Sequence, residues 1–177
     1  AVGWGGSLIR PEATGYGVAY FCREMLDTIG ETFKGKTITI SGYGNVGSFF
    51  IERVNALGAK VVTLGDEFGY VHDPDGIEGE KLEYLKHLWT RYRKPAKDYA
   101  DKFGVRWIPE RRPWEVPCDI AVPTAIQNEL NADDAQQLID NGCLLVCEAA
   151  NMPCTSDAIK LLQEREVLFG PCKAANA

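Results

Sequence analysis

The 177-residue chain carries 25 acidic and 19 basic residues, a formal net charge of −6, and 45% of its residues are hydrophobic. With no basic run longer than Arg111-Arg112, a polyanion has nothing to dock on, and nucleic acid is excluded as a partner. No stretch approaches the ~18 consecutive apolar residues of a membrane span, and the first residues show no charged head before an apolar signal core, so neither a membrane nor secretion is expected.

This length and composition suit one domain with a full core, and residues 1–177 are read as a single domain. The opening without Met and the end in KAANA suggest a domain cut from a longer protein. Cysteines 22, 118, 143, 147, 154 and 172 form no Cys-x-x-Cys pair, and His72 and His87 join them in no zinc spacing. No metal site is expected, and six reduced thiols point to the cytoplasm.

In residues 11 to 29, Val18, Phe21, Cys22, Met25, Leu26 and Ile29 recur at helical spacing, with Pro11 in the first turn and Gly30 as the stop. A strand over 37–41, a helix over 45–57 closed by Gly58 and a strand over 60–64 make a parallel crossover unit. Gly69 and the turn Asp73-Pro74-Asp75-Gly76 mark residues 67–76 as a small excursion from the main sheet. Helices follow over 78–92 and 96–103, then strands over 105–108 and 119–122. Asn131 caps a helix over 132–141 that Gly142 closes; a strand over 144–147, a helix over 156–166 and a strand over 167–169 complete the chain. Six strands alternating with helices predict an α/β fold, a Rossmann-like, doubly wound, mainly parallel sheet with helices on both faces.

The stretch SGYGNVG places Gly42, Gly44 and Gly47 between the first strand and the next helix. In a dinucleotide-binding turn the first glycine permits the tight turn, the second lets the backbone approach a pyrophosphate, and the third lets helix and strand pack closely. The amides of Asn45 and Val46 would face the anion at the positive helix end. Asp66, 24 positions after Gly42, would accept from the hydroxyls of the adenine ribose, and Glu67 adds a second negative charge. The pair favours NAD, because the 2′-phosphate of NADP would meet that charge. NADP stays possible if Arg91, Arg93 or Lys94 folds over the adenosine end.

GGSLIRPEATGYGVAYF at 5–21, SGYGNVG at 41–47, DYADKFG at 98–104, IQNEL at 126–130, EAANMP at 148–153 and KAANA at 173–177 together resemble the hexameric glutamate dehydrogenases of the Glu/Leu/Phe/Val dehydrogenase family, specifically their coenzyme-binding domain. The resemblance implies reversible oxidative deamination of L-glutamate to 2-oxoglutarate and ammonia by hydride transfer to NAD(P), in a whole protein that is a homohexamer. It also implies that the lysine and aspartate of the acid-base chemistry belong to a preceding domain, so no catalytic group is expected in this stretch. Lys173 is read as surface charge.

Matched by motif, Thr14 would hydrogen-bond the nicotinamide carboxamide, Asn45 would contact the pyrophosphate or ribose, and Asn128 and Asn151 would line the nicotinamide ribose. Arg10 and Asn176 would lie toward the substrate. Ile126 stands where relatives often have Thr, and Ala149 and Cys172 where Gly is common. A leucine, valine or phenylalanine dehydrogenase domain and a non-catalytic nucleotide-sensing module are the alternatives.

Overall fold

The computed structural model describes residues 10–92 and 94–176. Helix α1 (Ala13–Asp27) buries Val18, Ala19, Cys22 and Leu26 along one stripe. It ends where Gly30 takes a left-handed φ of 73° and the Glu31 amide returns to the Leu26 carbonyl.

Strand β1 (Thr37–Ile40), helix α2 (Asn45–Ala56) and strand β2 (Lys60–Val61) form the first crossover unit. With β6 (Ile120–Val122), β7 (Leu145–Cys147) and β8 (Leu168–Gly170) they build a sheet of order β2-β1-β6-β7-β8 in which every pair is parallel. Successive side chains of a strand point to opposite faces. Ile38, Ile40, Val122, Leu145 and Cys147 therefore pack in the layer of α1 and α2, while Ala121 and Val146 face the layer of α5 (Ala132–Asp140) and α6 (Ser156–Glu164). Fully buried Trp114 fills the second layer and donates its indole N–H to the Glu129 carbonyl at 3.1 Å.

Among the described residues the main sheet has five strands, not six. The run expected as one strand over 60–64 divides at Val62 into β2 and β3 (Thr63–Asp66). There the Thr63 hydroxyl accepts from the Ile40 amide and donates to the Ile40 carbonyl, both at 2.9 Å, in place of the ladder the departing backbone gives up. A tight turn at Glu67 and Phe68 folds β4 (Gly69–His72) back on β3, so the strand expected over 105–108, β5 (Arg106–Pro109), adds to β4 in a three-stranded antiparallel wing.

The helix expected over 78–92 is α3 (Glu80–His87) followed by a wider π turn, Leu88–Tyr92. That turn sets Trp89 edge-on to Tyr43, with ring centroids 6.2 Å apart, and the Tyr43 hydroxyl donates to the Lys94 carbonyl at 2.6 Å. Helix α4 (Lys97–Phe103) leads back to the wing. At α5 the Asn131 side chain accepts from the amides of Asp133 and Asp134 while Asp134 accepts from the Asn131 amide, a reciprocal cap. Short helix α7 (Cys172–Ala175) closes the described chain. All six cysteines are free and buried, and no helix among the described residues is long and apolar enough to cross a membrane.

Candidate functional site

From β1 the chain crosses outward to β2, whereas β6 lies on the other side of β1. Such a reversal opens a crevice at the carboxyl ends of the two central strands. The glycine turn sits in it. A Cβ on Gly47 would lie 2.2 Å from the Gly42 carbonyl oxygen, so α2 can begin this close to β1 only over a bare Cα. None of the three turn glycines has a positive φ; what they supply here is space. Above Gly44 the nearest atoms a Cβ would meet belong to the Trp89 ring, at 3.8 Å. Gly44 is also the N-cap of α2, and no side chain caps that helix end, which leaves its first amides to an incoming anion.

Two recesses flank the turn. The one toward the antiparallel wing, about 260 Å³, is lined by Gly42, Gly44, Asp66, Trp89, Arg112 and Ile126, with Glu67 at its rim. Each oxygen of the Asp66 carboxylate already takes one backbone amide, Phe68 at 2.9 Å and Ala96 at 2.7 Å. Arg112 donates to the Asp66 carbonyl at 2.9 Å and brings a guanidinium to the same wall. Lys94 lines a further recess together with Asp66, Glu67 and Trp89 and pairs with Asp98 at 2.5 Å, Arg91 is exposed, and Arg93 lies outside the described residues.

The recess toward β7, about 530 Å³, brings together Thr14, Val46, Asn151 and Asn176, with Ile126 and Gln127. Thr14 reaches it because α1 crosses α2 closely: a Cβ on Gly15 would lie 2.7 Å from the Val46 carbonyl oxygen. Asn176 donates to the carbonyls of Ala149 and Ala150, both at 3.3 Å. Asn45 turns its side-chain amide to the Pro11 carbonyl at 2.6 Å, so what it presents to the crevice is the helix N-terminus. Asn128 is exposed, holds a left-handed φ of 55° and does not line this recess; its neighbour Gln127 does. Arg10 is exposed outside both recesses and pairs with Glu12 at 3.7 Å.

Two residues that hold the crevice together are given no role by the motifs. Thr124 accepts from the Gly42 amide at 2.7 Å and donates to the Gly42 carbonyl at 3.0 Å, and its own amide donates to the Ser41 hydroxyl at 2.9 Å. Buried Glu129 accepts from the amides of Ala125 and Ile126 at 3.0 and 3.2 Å, and burial pushes its carboxyl above the usual range. Within IQNEL the sequence draws the eye to the asparagine; the neighbouring glutamate is the residue that shapes the loop.

The family profile described as Glutamate/Leucine/Phenylalanine/Valine dehydrogenase matches residues 5–177. The chain belongs to this family. It is 53% identical over 174 residues to a glutamate dehydrogenase of Bacteroides thetaiotaomicron, a match that covers 98% of this chain and 39% of that protein. It is 54% identical over 174 residues to an NADP-specific glutamate dehydrogenase of Haemophilus influenzae and 50% identical over 175 residues to an NAD-specific one of Bacteroides fragilis, each with the same 98% and 39% coverage. The glutamate dehydrogenase of Plasmodium falciparum superposes with a TM-score of 0.93 at 42% identity, over 99% of this chain and 38% of that one. The chain thus spans about two fifths of the length of these members of the Glu/Leu/Phe/Val dehydrogenase family. Every predicted site residue falls inside the matched segment.

Proposed function

We propose that residues 1–177 form a single NAD-binding domain of a glutamate dehydrogenase, the part of the whole enzyme that holds the cofactor while glutamate is deaminated to 2-oxoglutarate and ammonia. The observation that carries the reading is the uncapped start of α2 at Gly44, open above its Cα and flanked by two recesses at the switch point of the sheet. A dinucleotide has that form: an anionic centre with a ring system on either side.

The residues fit such a group. The amides of Asn45 and Val46 would take the pyrophosphate at the helix N-terminus, with Gly42, Gly44 and Gly47 keeping the turn bare. Asp66 would use its remaining lone pairs on the adenine ribose, with Glu67 at the rim. Thr14, Asn151 and Asn176 would hold the nicotinamide half in the larger recess, Asn128 would act from the rim of the 126–130 loop, and Arg10 would lie toward the substrate. Bound nicotinamide supplies the hydride acceptor. The chain's part in the reaction is to fix that ring and to exclude water from one side of it, with apolar Ile126 in the lining of the recess. In this reading the acid-base groups stand in the remainder of a homohexameric, cytoplasmic enzyme, and none lies in this chain.

NAD is the proposed cofactor because Asp66 and Glu67 are negative where a 2′-phosphate would come, and Lys94 is already paired with Asp98. NADP is the second reading, supported by Arg112 on the wall beside Asp66. Parallel calorimetric titrations with NAD and NADP at fixed salt test both. Tighter NAD supports the acidic pair; tighter NADP, lost in Arg112→Ala, transfers the selection to Arg112; binding of neither overturns the site.

A further inference from the structure

Glu148 has no role in the reading above, yet it is 3% exposed at the carboxyl end of β7, where a buried carboxylate has to be fully hydrogen-bonded to be tolerated. One oxygen accepts from the Cys154 amide at 3.1 Å and the other from the Cys172 amide at 2.9 Å. The two amides belong to different segments. Cys154 ends the loop that carries Asn151, and Cys172 is the first residue of α7, whose C-cap is Asn176. The N-cap of α7 is Pro171, which has no side-chain acceptor, so Glu148 supplies from β7 the anionic acceptor that the helix start lacks.

Resting on the assignment of the larger recess to the nicotinamide half, we propose that Glu148 is the positioning residue for that half. By its two amide bonds it sets the relative placement of Asn151 and Asn176. Asn176 in turn donates to the Ala149 and Ala150 carbonyls, so the loop, the strand end and α7 meet around one carboxylate. The carboxyl fork offers one acceptor oxygen to each of the two N–H donors; a Gln in its place would point its NH2 at one of them.

The test compares the affinities of the chain for NADH and for ADP-ribose, which lacks the nicotinamide. A general loss of structure lowers both alike by reducing the folded fraction. A displaced nicotinamide subsite lowers NADH alone. Two variants are read: Glu148→Gln, and Cys172→Pro, which deletes one donor amide at the helix position where proline is best tolerated and after a Pro171 already extended at φ −71°, ψ 145°. The expected result is wild-type affinity for ADP-ribose and about a tenfold drop in the preference for NADH, the scale of one charge-assisted hydrogen bond. If Glu148→Gln does not fold, Cys172→Pro decides. A preference unchanged in a folded variant overturns the role of Glu148 and leaves the cofactor assignment standing. A wild-type chain that binds neither nucleotide, or binds NADH no better than ADP-ribose, overturns the assignment of the recess and the inference with it.

Discussion

Gly47→Ala and Gly44→Val separate the two duties of the glycine turn. The added methyl at position 47 would lie 2.2 Å from the Gly42 carbonyl oxygen and 3.1 Å from its carbon. Both atoms are backbone, so α2 must lift from the turn by more than about 1 Å to restore ordinary contact. Overpacking of this kind costs about 1–3 kcal/mol. Alanine regains up to about 1 kcal/mol of helix propensity, which leaves a net loss of roughly 1–2 kcal/mol. For a chain of this size that is a fall in Tm of roughly 2–8 °C. At position 44 the nearest atoms are 3.8 Å away and the backbone is extended, at φ −62° and ψ −164°. Gly44→Val should therefore still fold, with the smaller stability loss of a poorer helix N-cap, but lose NAD affinity more than about tenfold, since its methyls fill the approach to the helix end. Calorimetric unfolding and NAD titration of both variants give the comparison. A Gly47→Ala chain as stable as wild type refutes the steric argument; a folded Gly44→Val chain with wild-type affinity refutes the placement of the pyrophosphate.

Thr124→Val leaves the Gly42 amide and carbonyl without their hydroxyl partner and should cost about 1–3 kcal/mol in urea unfolding; no change would mean that water replaces the strap. Asp66→Ala removes the acceptor for the Phe68 and Ala96 amides, so it should lower stability by a similar amount while shifting the NAD to NADP affinity ratio toward NADP. A ratio that stays fixed rules Asp66 out as the selector. Glu129→Gln should stabilise the chain near neutral pH. Burial raises the folded pKa of Glu129 above its usual 4.5, so the folded chain keeps a proton that the unfolded chain releases. Stability falls as pH rises from about 4.5 through the folded value, and above that value the full deficit remains. The gain in Tm from the Gln variant should be largest near neutral pH and vanish below the usual value; a gain independent of pH would show that ionisation is not its source.

The elements legible in the sequence are those whose cause is local. Asn131 with Asp133 and Asp134, Gly142 at φ 78°, Gly30 at the end of α1 and the glycine turn each specify their backbone through a few neighbours. The 105–108 strand was equally visible as a strand. Its sheet was not, because membership depends on the fold-back at Glu67 and Phe68 and on the hydroxyl of Thr63, a residue that reads only as β-branched. Within the site, Thr14 and Asn176 were legible by motif and meet across the whole length of the chain. Asn128 and Arg10 were equally prominent in motifs, but the fold leaves them exposed outside both recesses. Arg112, Thr124 and Glu148 act through backbone groups distant in sequence, whereas Glu129 acts on two amides of its own loop, and no spacing rule announces such bonds.

The division of residues 60–66 between two sheets has a mechanical consequence. The larger recess is built on the ends of neighbouring parallel strands and on the helices packed over them. The smaller one straddles a joint: Gly44 rides on the main sheet, whereas Asp66 rides on the wing, and the Thr63 hydroxyl is the hinge pin between them. A twist of the wing would therefore change the space between the glycine turn and Asp66, whereas no residue that lines the larger recess belongs to the wing.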